Sequence, residues 1–589
     1  MKNFPAVRRA VWIFAFLLSG SVAVSALPNE VDYSIQAQLD TVKNVITAQE
    51  QVRFVNHTGA ALSEVWLHLY PNAFKKNSNS NFQQQLQRIG RIDPSRLYAN
   101  PNDDAFIDIK SLSANGQDLQ FSVNDTLMRA ALAKPLADGE EIKLNINFIY
   151  DLMEAPSSAL YASSLAIRSA HRRGVYTMTL WFPKVVVYDN KNGWNLVQFG
   201  YVGEFYSDFG AYHIELTLPS EMAVAATGVL TKETVNGALK TQVWDATNVH
   251  DFAWVASSRY QVTETKLANN TIVRTIYLNV SQMHSIALDA VQYFNQQFGA
   301  YPYPAVTVAQ VEAGGGMEFP GIVMIGGGGS LEVVHELAHE WWYGAVGNNE
   351  EDEAWLDEGF ATFSQELYDI EHLGKPYQTA RSSFNFREPG VPVLTSASKF
   401  NSLGVYANAV YTKGSGVLWM LRGMLGKEKF DQLLRTYYDR LKFKNATTPD
   451  FAAVSEEVSG QKLDWFFDEW LRTTKTLDFA VTRATSAAQS DGTFNLQATV
   501  TRAGEAIMPV RVQFVLADGS KLEEIWDGQS AEKQFTIQTK VALLQVIVDP
   551  DQDLLEQDRT NNVGFAQNRT TAVSSPAITR SVFARLTPE

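Results

Sequence analysis

Residues 330–360, SLEVVHELAHEWWYGAVGNNEEDEAWLDEGF, decide how this chain is read. A glycine run at 326–329 leads into Ser330, a favourable N-cap, and Glu332 falls in the first turn, where the helix dipole favours a negative charge. No proline or glycine follows from Leu331 until Gly344, so the pattern predicts a helix of about three to four turns. His335 and His339 are four residues apart, so their imidazoles leave one face of that helix and can converge on one metal ion. Glu336 sits at the edge of the same face, placed to reach a water on the metal rather than the metal itself. A catalytic zinc normally takes three protein ligands and keeps a fourth position for water. The third ligand is expected in AWLDEGFATFSQELYDI, residues 354–370, which reads as a second helix. In it Glu358 faces the first helix while Trp355, Leu356 and Phe360 supply packing. Eighteen residues separate His339 from Glu358, enough to finish one helix, pass a loop and start the next. The competing reading is two solvated surface histidines beside a glutamate.

This arrangement resembles the aminopeptidase N family of zinc metallopeptidases (gluzincins), whose pattern is His-Glu-x-x-His, eighteen residues, then Glu. Upstream, Gly315-Gly316-Met317-Glu318 resembles the family's Gly-x-Met-Glu-Asn segment. Downstream, Tyr411-Thr412-Lys413-Gly414 resembles its Tyr-x-Lys-Gly. The whole of 298–325 is similar to the family's approach to the active-site edge strand, and the likeness spans about 208–472. It implies one zinc per chain held by His335, His339 and Glu358, with Glu336 as general base and Tyr411 stabilising the tetrahedral intermediate. It also implies that Glu318, with Gly315, Gly316 and Met317, receives the substrate and holds its α-ammonium group. The implied partners are peptides with a free N-terminus, and the implied activity is that of an aminopeptidase. Two departures stand out: Phe319 and Pro320 follow Met-Glu where the family has asparagine, and no segment matches the glutamine-rich stretch that adds a second amine contact. They keep open a zinc endopeptidase or oligopeptidase on the same scaffold. A non-catalytic peptide-binding protein with a structural zinc is a further alternative, although structural zinc needs neither Glu336 nor Tyr411. Tyr406, five residues before Tyr411, is expected to line the same cleft.

At 589 residues the chain is too long for one core. Its net charge of −15, with no lysine/arginine-rich run, argues against nucleic acid as a partner. Residues 1–26 read as a signal peptide: Lys2, Arg8 and Arg9, an apolar run over 10–24, and Val24-Ser25-Ala26 for cleavage. Removing the three positive charges takes the net charge to −18. The fifteen-residue apolar run is short of the roughly twenty a membrane span needs, so no stable span is expected after cleavage. The absence of cysteine excludes disulfides, thiolate ligands and a cysteine nucleophile, and fits bacterial export to the periplasm or beyond the cell.

The pattern along the chain predicts a multidomain α+β protein. Period-two segments such as 142–148 and 212–218, with turns at Asn192-Gly193 and Asn236-Gly237, predict an N-terminal β domain over 27–265. Residues 100–104 and 154–158 read as exposed loops, and 181–183 with 200–209 resemble the family domain's final strands. Helical periodicity over 281–298, 412–425, 428–441, 450–458 and 462–471 predicts a thermolysin-like, mainly helical catalytic domain over 266–477. Alternation returns after Leu477 and predicts an immunoglobulin-like β-sandwich over 478–565, followed by a flexible tail over 566–589. Asp549, Asp551 and Asp553 read as a polar turn, since the glycine and glutamate of a calcium loop are replaced by Leu554 and Thr560.

Overall fold

The computed structural model of the chain describes residues 30–76, 80–98, 104–155, 168–189, 191–203, 205–327 and 329–569. The leader at 1–26 and the tail beyond 569 lie outside the described residues, as do 100–103 and 156–158 of the expected loops. Among the described residues no helix is long and apolar enough to cross a membrane.

Alternation builds the N-terminal unit. Glu30–Asp40 turns Val31, Tyr33, Ile35, Ala37 and Leu39 inward, and its neighbours Val45–Val55 and Glu141–Asp151 do the same in register. These strands centre an eight-stranded sheet that runs from Val229–Asn236 at one edge to Gln117–Asp118 at the other. Its one parallel pairing joins Glu30–Asp40 to Gly210–Pro219. Two four-stranded sheets and a two-stranded one, Tyr188–Asp189 with Gly193–Trp194, complete the unit, and Trp181, Trp244 and Trp254 are buried to 1% exposure or less. A helix α1, Asn81–Arg88, is capped by Ser80. The strands expected at 200–209 do not form. The described residues there run as irregular chain, held by Tyr201 N–H on Gln85 Oε1 at 3.0 Å and Phe205 N–H on Glu350 Oε2 at 3.2 Å.

The boundary expected at 265 falls inside a strand. Gln261–Lys266 pairs with Ile272–Tyr277, which lies parallel to Ala305–Gln310, so the second unit begins at 261. Ile322–Ile325 follows in parallel, and Gly316–Met317 closes the five-stranded sheet as an antiparallel edge strand. Helices α2 (Met283–Gln297), α3 (Ser330–His339) and α4 (Glu358–Leu367) pack on and beside this sheet. Beyond them lie α5 (Gly414–Leu425), α6 (Lys427–Leu441), α7 (Thr448–Ser459) and α8 (Asp464–Arg472). Helix α7 opens on a capping box between Thr447 and Asp450 with Pro449 in its first turn. Phe360 sits at the centre of this layer, its ring 5.2 Å from Trp342, 5.6 Å from Trp355 and 5.0 Å from Phe451.

The C-terminal unit packs two four-stranded sheets over a core that includes Phe479, Leu496, Phe514 and Trp526. Asp549 accepts from the N–H groups of Asp553 and Leu554 and pairs with Arg559 at 2.8 Å, a polar turn as the sequence indicates. The tail begins later than 566, because Gln567–Arg569 adds a parallel strand beside Phe479–Ala488.

Glu50 is the exception in the N-terminal core. It occupies an inward position at 3% exposure, and neither carboxylate oxygen has a hydrogen-bond partner. Burial raises its pKa well above the usual value, so the folded state holds a proton that the unfolded state releases near pH 4.3. Stability is therefore lost as pH rises past that point, by about 1.4 kcal/mol per unit until the folded pKa is reached. Glu50→Gln is expected to remove this slope, gaining on the parent at pH 7 but not at pH 4 in urea denaturation. An equal shift at both pH values would contradict the assignment.

Candidate active site

Helix α3 starts one residue earlier than its sequence suggests. Gly329 is the N-cap, Ser330 is already helical and makes no cap bond, and Glu332 Oε2 reaches back to Gly327 N–H at 3.2 Å. It ends at His339, just under three turns, because the chain turns sharply through Tyr343, whose φ is +144°. The shortened helix still carries both histidines on one face. Helix α4 starts at Glu358, with Asp357 as N-cap accepting from the Glu358 N–H at 2.9 Å. Trp342 Nε1–H donates to Ser364 Oγ at 2.9 Å and locks the two helices together.

The three expected ligands meet. Glu358 Oε2 lies 3.1 Å from His335 Nε2 and 3.2 Å from His339 Nε2, and the two Nε2 atoms are 3.3 Å apart. A tetrahedral zinc with bonds of about 2.0–2.1 Å to nitrogen and oxygen needs donors about 3.3–3.4 Å apart, so these residues fit one zinc ion. His339 Nδ1 faces the Trp342 carbonyl at 3.3 Å, which leaves Nε2 for the metal. Burial lowers the pKa of His335 and keeps its imidazole neutral. Burial works to raise Glu358, but the His339 and His335 rings outweigh it and hold the carboxylate ionised.

Glu336, Glu318 and His339 form a second group whose donor atoms lie within 4.8 Å of one another. Burial, then the Glu318 carboxylate, pushes Glu336 well above the usual range. Gly316 explains its own identity here. A Cβ at that position would stand 2.2 Å from Glu336 Oε1, so any larger residue would push Glu336 from its place. Tyr411 lies in a π-helical turn, Asn408–Lys413, and its hydroxyl donates to Glu358 Oε1. Burial, then Glu358, holds that hydroxyl protonated far above its usual pKa. The adjoining residues make this reach possible. Lys413 is fully buried and pairs with Glu388 at 2.8 Å. Gly414 meets Gly359 so closely that a Cβ on either would come within 3.1 Å of the other's backbone.

His335, His339, Glu358, Glu336, Glu318 and Tyr411 face one cavity of about 610 Å³, which Gly315, Gly316, Met317 and Tyr406 also line. Phe319 does not reach it. It is fully buried with its ring 5.5 Å from Phe205, so the family's asparagine contact has no counterpart at that position. Sequence reading missed Arg168, Tyr201, Val202 and Leu403, which line the same cavity from distant parts of the chain. No local pattern marks them.

Residues 330–470 match the peptidase family M1 domain. The chain is 25% identical over 300 residues to aminopeptidase M1-B of Oryza sativa subsp. japonica, covering 44% of this chain and 34% of that one. It thus spans about a third of that relative's length. An M1 zinc metallopeptidase from Deinococcus radiodurans superposes with a TM-score of 0.56 at 16% identity, covering 76% of this chain and 95% of that one. Legionella pneumophila aminopeptidase A, solved with aspartic acid, gives 0.63 at 14% identity over 93% of this chain and 61% of that one. The fold is thus shared with zinc metallopeptidases of known structure, and the donor set is one that can hold a single zinc ion. The likeness to peptidase family M1 rests on residues 330–470, and zinc is the ion these three donors fit.

Changing His339 or Glu358 to Ala leaves two donors. Zinc affinity is expected to fall by more than the ~10–100-fold that loss of an outer-shell partner brings, as measured by metal content after dialysis. Undiminished zinc in either variant would remove that residue from the ligand set.

Proposed function

We propose that this chain is a zinc aminopeptidase that releases single residues from the free N-terminus of peptides. The observation that carries the reading is the meeting, around one cavity, of the His335–His339–Glu358 donors with the carboxylates of Glu336 and Glu318 and the hydroxyl of Tyr411. Zinc in that donor set supplies a Lewis acid for the scissile carbonyl and a water of lowered pKa.

The protein's own groups do the rest. Glu336, raised by burial and by Glu318, is suited to accept a proton from the attacking water and return it to the leaving amine. Tyr411 keeps its proton and donates to the carbonyl oxygen as charge builds there, a contribution of roughly 3 kcal/mol for such a donor. Glu318, only 5% exposed and on the cavity wall, pairs with the substrate's α-ammonium. Because Glu318 and Glu336 both lie within 4.8 Å of His339, an ammonium on the first fixes the first peptide bond beside the second. That ruler favours an exopeptidase over an endopeptidase. Export is part of the proposal, supported by the basic residues Lys2, Arg8 and Arg9 ahead of the apolar run at 10–24.

Glu336→Gln is expected to retain one zinc while hydrolysis of an aminoacyl reporter falls by about 10²–10⁴-fold. Full activity in that variant would overturn the general-base role. Glu318→Ala is expected to lose far more activity on free-amine substrates than on N-acetylated ones. Equal losses on both, or efficient cleavage of the acetylated peptide by the parent, would replace the aminopeptidase with an endopeptidase.

A further inference from the structure

The cavity continues past the zinc donors, and its outer part has a chemistry of its own. Leu331, His335 and His339 follow one another at intervals of four along α3, and all three line the cavity. Four residues advance about 6 Å along a helix axis, so Leu331 stands one turn outward from His335. A second run faces it. Leu403, Ala407 and Tyr411 also recur at intervals of four, in the helical turn Leu403–Ala407 and the π-helical turn after it, and all three line the same cavity. The His335 and Tyr411 rings stack with centroids 6.0 Å apart, which sets the two runs side by side at the zinc donors. Beyond that level both runs turn apolar. Leu331 is 50% exposed and Leu403 39%, and neither joins a hydrophobic core. Ala407, between Leu403 and Tyr411, carries only a methyl group and leaves room for a side chain from outside. The acid beside Leu331 is engaged elsewhere: Glu332 Oε2 accepts the Gly327 N–H at 3.2 Å.

Glu318 fixes which way a substrate runs. Its carboxylate lies within 4.8 Å of the donor atoms of Glu336 and His339, a group that His335 does not join. A peptide whose ammonium sits on Glu318 therefore crosses the zinc donors and leaves over His335 and Tyr411. Successive residues of an extended chain are about 3.3–3.6 Å apart, so the residue after the scissile bond falls about one helical turn beyond the donors. We infer that Leu331 and Leu403 form an apolar subsite that selects peptides with an apolar second residue, which makes them specificity-determining residues for the aminopeptidase reading on which this rests. An apolar side chain there takes both leucines out of water, whereas a polar one gives up its hydration for no hydrogen bond from either.

The test uses the zinc-loaded full chain and alanyl dipeptide amides that differ only in the second residue, with kcat/KM read from released alanine. Leucine and phenylalanine at that place are expected to exceed serine and aspartate by about tenfold or more. Leu331→Asn and Leu403→Asn should each lower the leucine-to-serine ratio several-fold, with one zinc retained as the check on the fold. Leu403→Arg should shift preference towards aspartate, a gain that a merely structural role would not produce. Equal rates across the series in the parent, a preference for lysine drawn by Glu332, or an unchanged ratio in both Asn variants would overturn the subsite and leave the aminopeptidase standing. No alanine release from any of the peptides would remove the aminopeptidase reading and this inference with it.

Discussion

Two imidazoles and a carboxylate are held with their donor atoms 3.1–3.3 Å apart, and most of the catalytic unit serves that separation. Left to themselves, three buried polar groups would drift apart to find separate partners. Here α3 and α4 are fixed from several directions. Trp342 bonds across to Ser364, and the Phe360 ring is wedged among Trp342, Trp355 and Phe451. Glu340, the residue after the second histidine, accepts from Tyr301 Oη at 2.5 Å and Gly321 N–H at 3.1 Å, tying the end of α3 to the sheet. Burial pushes that carboxyl up to about 7. Further along α4, Glu366 accepts from Ser382, Ser415 and Trp419 at 2.6–2.7 Å and anchors the helix to α5. Both helices are thus fixed at their far ends by acids that cannot leave without stranding several donors.

The same packing concentrates negative charge. Glu318, Glu336, Glu350, Asp357 and Glu358 are all buried around the two histidines. Such a concentration of buried carboxylates favours cations, the metal first among them. Burial strengthens these attractions and, with the Glu318 carboxylate, raises Glu336 well above the usual carboxylate value. Tyr411 belongs to the same field. Its proton is retained because a phenolate beside Glu358 in a dry pocket would be strongly disfavoured.

The zinc motif was legible because a helix converts a spacing of four residues into a shared face, and nothing more remote is needed to place His335 beside His339. Glu358 was legible by the same logic applied twice. What could not be read depends on which backbone lies opposite. A side chain at 316 would displace Glu336, and one at 414 would crowd the Gly359 backbone. Arg168 and Tyr201 reach the cavity from distant parts of the chain that no local pattern connects to it. The start of α3 was misplaced by one residue because Ser330 has the right chemistry for a cap but Gly329 takes the extended backbone that a cap requires.

The N-terminal unit is more than a cover. Lys184, on a two-residue strand of that unit, is buried in an ion pair with Asp251 at 2.6 Å and lies 5.6 Å from the Phe205 ring. Phe205 in turn donates its N–H to Glu350, and His250, next to Asp251, holds the carbonyl of Tyr343. A continuous set of buried polar contacts therefore runs from the β unit to the turn between the two zinc helices. An isolated catalytic unit would lose the partners of Glu350 and Tyr343 together, leaving buried groups exposed to water or unpaired. The two units are linked through the chemistry of the site itself, so neither explains the active centre alone.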